Sequence, residues 1–78
     1  MRKITPPQCR AARALLDWSQ KHLAGAAAVG VSTIYDFERD RRWISEEAET
    51  AIRQALEKAG VEFTNGKRPG VRLAIESR

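Results

Sequence analysis

Cysteine is nearly absent from this sequence: Cys9 stands alone, and histidine also occurs once, as His22. A lone thiol closes no internal disulfide, and with a single imidazole it makes no plausible zinc site. Cys9 is instead expected to pack as a small apolar residue on a helix. Long apolar runs are missing too. No stretch approaches the roughly 20 apolar residues that a membrane span requires. The opening MRKITPPQ has no apolar signal core, so the expected location is the cytoplasm. No helix sets a Lys-rich face against a bulky apolar one, so binding to a membrane surface is not expected. Paired carboxylates in a cleft, a nucleophile–base constellation and a phosphate-cradling glycine loop are all lacking, and a short chain encloses no deep pocket. The expectation is a protein that is not an enzyme and uses no cofactor and no metal.

What is there fits one small soluble domain. Seventy-eight residues bury only roughly 60% of their unfolded surface, so the fold is marginal alone and gains from dimerisation. With 42% hydrophobic and 31% charged residues the chain is not of disordered composition. Its net charge of +4 favours an anionic partner, nucleic acid first. There are no internal repeats and no low-complexity segments. NGKRPG is the one linker-like piece, too short to separate domains.

The helical part is expected over residues 1–60. Thr5 caps helix 1, Pro6 takes its first position, and Gln8 stands at capping-box spacing. Cys9, Ala12 and Leu16 define the buried face, with Leu15 beside them, and the helix should end near Asp17. Ser19 caps a short second helix with Leu23, Ala24 and Ala27 inward. A third helix runs from about Val31 to Glu38 with Ile34 and Phe37 inward. Val31, Ser32, Thr33, Tyr35 and Asp36 are left for its outer face. Several of these are mediocre helix formers, which gives that face a role beyond helix stability. RDRRWIS is a loop, and Ser45 caps helix 4, whose Glu46, Glu47 and Glu49 suit the helix dipole. Ala48, Ile52, Ala55, Leu56 and Ala59 form its apolar stripe, and Gly60 fits a left-handed stop.

Over 61–78 the period changes to two. Val61 and Phe63 alternate with polar residues in one run, and Val71, Leu73 and Ile75 do so in another. The turn-rich TNGKRPG lies between them, so a β-hairpin or strand pair is expected. An isolated ribbon is marginal in water and needs a partner. That partner is either the helical core or the same ribbon of a second subunit. As a dimer element it would use Phe63, Val71, Leu73 and Ile75.

Two short helices joined by a tight turn, the second with a polar outer face, describe a helix-turn-helix. The stretch ARALLDWSQKHLAGAAAVGVSTIYDFERDRR resembles the lambda-repressor-like (Cro, Xre) family of DNA-binding domains. WSQ opens helix 2, LA follows three residues after Gln20, and TIYDFERDRR closes helix 3, all in one ungapped register. The resemblance spans about residues 4 to 58 and implies a mainly α fold, a four-helix lambda-repressor-like domain to which the short β element is added.

It also implies roles. Gln20 matches a glutamine that reaches a phosphate beside the recognition helix. Val31, Ser32, Thr33, Tyr35 and Asp36 fall at positions facing the major groove. Arg39, Arg41 and Arg42 fall where the chain leaves along the DNA backbone, and Arg13 and Glu38 match a buried ion pair tying helix 1 to helix 3. Two departures stand out. Ala28 occupies a position usually held by Gly, and Gly30 one usually held by a Ser or Thr cap. Either Ala28 adopts a left-handed conformation at about 1 kcal/mol of strain, or helix 2 extends and the turn shifts toward Gly30.

In the groove, Ser32 and Thr33 can exchange hydrogen bonds with base edges, while Val31 and the Thr33 methyl pack on thymine methyls. Asp36 either accepts from a cytosine amino group or pairs with an arginine such as Arg39. Tyr35 contacts phosphate or sugar, or covers the core edge. The expected function is a transcriptional regulator, a repressor that binds an inverted repeat in double-stranded DNA as a homodimer. It would be bacterial or phage-like and nucleoid-associated. The alternatives are an antitoxin-type module that grips a protein partner and an architectural factor in recombination of a mobile element.

Overall fold

A computed structural model describes residues 4–39, 44–64 and 69–74. Four helices precede a small sheet: α1 (Pro6–Leu16), α2 (Gln20–Ala27), α3 (Val31–Glu38), α4 (Glu46–Lys58), β1 (Val61–Thr64) and β2 (Gly70–Leu73). The molecule is thus mainly helical, with one two-stranded antiparallel sheet.

Each helix start has a local cause. Thr5 and Gln8 make a reciprocal capping box: the Thr5 hydroxyl accepts from Gln8 N–H at 3.2 Å, and Gln8 Oε1 accepts from Thr5 N–H at 2.8 Å. Just before the cap, Ile4 is buried with Cys9, the pairing that steers a chain into its helix. Ser19 and Ser45 accept from His22 N–H and Ala48 N–H to start α2 and α4. Gly30 starts α3 with no side-chain cap.

The first two helices stop in the same way. Trp18 N–H reaches back to Arg13 carbonyl and Asp17 N–H to Ala14 carbonyl; Val29 and Ala28 repeat the pattern on Ala24 and Gly25. These are Schellman stops, which place one residue in the left-handed region. Asp17 (φ 58°) and Ala28 (φ 59°) hold those places. The turn therefore falls at Ala28 to Gly30, and α2 does not extend toward Gly30.

One core joins all the elements. Ile4, Cys9, Ala12, Leu23, Ala24, Ala27, Ile34, Phe37, Ile52, Leu56, Val61 and Phe63 are buried together. On α4 the stripe is graded: Ile52 and Leu56 are sealed, while Ala48, Ala55 and Ala59 lie partly covered. Leu15 departs from expectation, since it is 41% exposed. It lies two helical turns beyond Gln8 along one side of α1. The sheet covers that side at the Gln8 end, where Gln8 Nε2 donates to the carbonyls of Thr64 and Gly70 at 3.0 Å each.

The strands pair Val61 with Leu73, Glu62 with Arg72, Phe63 with Val71 and Thr64 with Gly70. Val61 and Phe63 point into the core, so the ribbon leans on its own helices. Phe63 is buried within the chain, in the same core cluster as Leu56 and Ile52. Val71 is half-buried and Leu73 is 43% exposed. Ile75 lies outside the described residues.

Candidate nucleic-acid interface

Helix α3 divides into two faces by its own sequence. Ile34, Phe37 and Glu38 turn inward, where the first two join the core. Val31 (49% exposed), Ser32 and Tyr35 (39% exposed) turn outward. At 100° per residue, positions 31, 32, 35, 36 and 39 share one arc, with Thr33 on its flank. Thr33 and Asp36 are accordingly half-buried. Neither Ser32 nor Thr33 is sealed inside the molecule.

Arg39, expected where the chain leaves α3, is the C-cap residue of that helix and shares the outer arc with Val31, Ser32 and Tyr35. Its guanidinium lies over the Tyr35 ring, 4.9 Å from the centroid, a cation–π contact that orders both side chains on the outer face. Both side chains reach the surface, Tyr35 at 39% exposure. Arg41 and Arg42 lie outside the described residues.

Beneath this face sits a carboxylate that the molecule surrounds with donors. Glu38 is 1% exposed. Arg13 grips it with Nε on Oε2 and Nη2 on Oε1, each at 2.7 Å. Cys9 Sγ donates to Oε2 and Gln20 Nε2 to Oε1, each at 3.1 Å. Arg10 donates to the Glu38 backbone carbonyl, capping the end of α3. The third Arg13 nitrogen, Nη1, holds the Trp18 carbonyl at 3.0 Å, so the same guanidinium ties the α1–α2 turn to α3.

The electrostatics follow from these contacts. Burial pushes the Glu38 carboxyl up, but the donations from Arg13, Cys9 and Gln20, with the Arg13 charge, outweigh it and hold the group below its ordinary value. Hydrogen bonding to Glu38 raises Arg13 further. Burial first, then the donation to Glu38 and its negative charge, pushes the Cys9 thiol well above its ordinary range. Cys9 is therefore a protonated donor and a poor nucleophile.

Two parts of this arrangement escape sequence reasoning. Gln20, expected to reach outward to a phosphate, has its amide nitrogen on Glu38. The thiol of Cys9, expected only to fill space, also donates. Neither has a local signal, because each depends on where α3 ends relative to α1 and α2.

Other chemistry is scarce. Among the described residues no group of three or more His, Cys, Asp or Glu is placed to hold a metal ion. No described helix is long and apolar enough to cross a membrane. Comparison with known proteins adds nothing to the geometry: no family model and no curated protein matches the chain.

Proposed function

We propose that the chain is a sequence-specific DNA-binding regulator in which α2 and α3 form a helix-turn-helix and the outer arc of α3 enters the major groove. The observation that carries this reading is the arc itself: Val31, Ser32, Tyr35 and Arg39 stand exposed on a helix whose opposite face is locked to the core. A rigid helix with exposed hydroxyl, aromatic and guanidinium groups suits base edges and phosphates together. The net charge of +4 adds sequence-independent attraction. Ser32, with Thr33 at the flank, reads bases, and Val31 packs on thymine methyls. Asp36 completes the set. Gln20, Arg39, Arg41 and Arg42 hold phosphates. The protein acts in the cytoplasm as a repressor and binds an inverted repeat as a homodimer.

Fluorescence anisotropy tests this with two labelled duplexes, one from the region upstream of the protein's own gene and one scrambled. Both should bind at low salt, and the upstream duplex should keep its advantage as salt weakens both. Ser32→Ala should narrow that advantage. No binding of either duplex at low ionic strength would sink the proposal.

A further inference from the structure

We propose that Glu38, although sealed from solvent, is a positioning residue for DNA: it presets the Gln20 amide for a phosphate oxygen. The inference rests on the DNA-binding reading above and deepens it. Glu38 Oε1 accepts from Gln20 Nε2 at 3.1 Å and from Arg13 Nη2 at 2.7 Å. An ionised carboxylate can only accept, so the nitrogen end of the amide must face it. A planar NH2 group carries two hydrogens. One is committed to Glu38, which leaves the other for a partner at the start of α2, where Gln20 is the first helical residue and half-buried.

A free glutamine side chain loses much rotamer freedom when a ligand captures it. Here that freedom is already lost in the unliganded protein. The anchor cannot swing, because Arg13 holds both carboxylate oxygens and Cys9 holds one of them. The ion pair between α1 and α3 thereby acts on a side chain of α2. Replacing the carboxylate by an amide removes the obligation: Gln at position 38 can turn its own NH2 toward Gln20 and release it.

The test combines spectra of the free protein with binding measurements. In nitrogen-15 spectra of the free chain, one Gln20 side-chain proton should be shifted downfield and slow to exchange, and Glu38→Gln should return it to ordinary values. Gln20→Met and Glu38→Gln should each weaken binding to the upstream duplex about 3–10-fold, the worth of one hydrogen bond. The salt slope should not change, since no charged phosphate contact is removed. The double variant should bind no more weakly than Gln20→Met alone. If Glu38→Gln fails to fold, Gln20→Asn gives the same reading, because its shorter side chain cannot span both partners. Wild-type affinity in Gln20→Met, or losses that multiply in the double variant, overturns the proposal. An ordinary Gln20 amide signal in the free protein does the same. Failure of the wild type to bind any duplex overturns the DNA-binding reading, and this proposal with it, while the amide signal separately reports whether Glu38 holds Gln20.

Discussion

Single residues decide how α3 is held. Removing the Glu38 carboxylate would leave Arg13 short of its two strongest acceptors in a mostly covered site. Glu38→Ala should cost about 3–5 kcal/mol, a large part of the stability of a domain this small, and urea titration at neutral pH checks it. The pH dependence has a definite sign. The carboxyl is lower in the folded chain than in the unfolded one. Its contribution is therefore fully present above the ordinary carboxylate value, about 4.3, and disappears as pH falls through the lower, folded value. The wild type should lose this increment on acidification, and Glu38→Gln should show a flatter decline in the same thermal melts. Equal slopes for the two proteins would show that the carboxylate is not held as described. Ala28 is the second residue of consequence. Its φ of 59° strains a Cβ that glycine lacks. Ala28→Gly should raise stability by up to ~1 kcal/mol, the relief of left-handed strain less the extra freedom glycine gives the unfolded chain. A lowered melting temperature would refute that account. The sequence announced the strain as one of two options; only the placement of the turn at Ala28 selects it.

At the scale of elements, boundaries were legible because caps are local. Thr5, Ser19 and Ser45 each stand before the helix they start, and their hydroxyls act within three residues along the chain. The inward faces of α2 and α3 follow from the same kind of local periodicity. How elements dock was less legible. Leu15 fits the apolar spacing of α1 but falls where the sheet gives it no cover. Gln8 shows one role in the sequence and has two in the fold, since its oxygen caps α1 while its nitrogen clamps both strands. The two roles can be separated. Gln8→Glu keeps a capping oxygen but turns a carboxylate toward two carbonyls; Gln8→Ala loses both functions. If the clamp dominates, Gln8→Glu should cost as much as Gln8→Ala, about 1–3 kcal/mol each. If Gln8→Glu is near neutral by urea unfolding, the capping box matters and the clamp does not.

At the scale of the whole molecule, the proposed homodimer needs a surface on which a second copy fits. One recognition helix reads only a few base pairs, so the proposed regulator needs two, set roughly one turn of DNA apart. Truncation after Gly60 cannot locate the interface, because it would remove Val61 and Phe63 from the core and unfold the helices with them. That dependence was hidden in the sequence, where an alternating ribbon serves equally well as a cover for its own helices or as a dimer strand. The fold assigns Val61 and Phe63 to the first purpose and leaves Leu73 exposed beside the half-buried Val71. Leu73→Glu is therefore the informative change. Its side chain is open to water, so the substitution should leave stability within about 0.5 kcal/mol. If the ribbon joins two copies, burying a charge at that seam should convert a dimer to monomer in light scattering. Affinity for an inverted-repeat duplex should then fall, because the second half-site no longer benefits from linkage to the first, while affinity for a single half-site stays near wild type. A Leu73→Glu chain that remains dimeric would move the interface to another surface without touching the case for α3 as the reading helix.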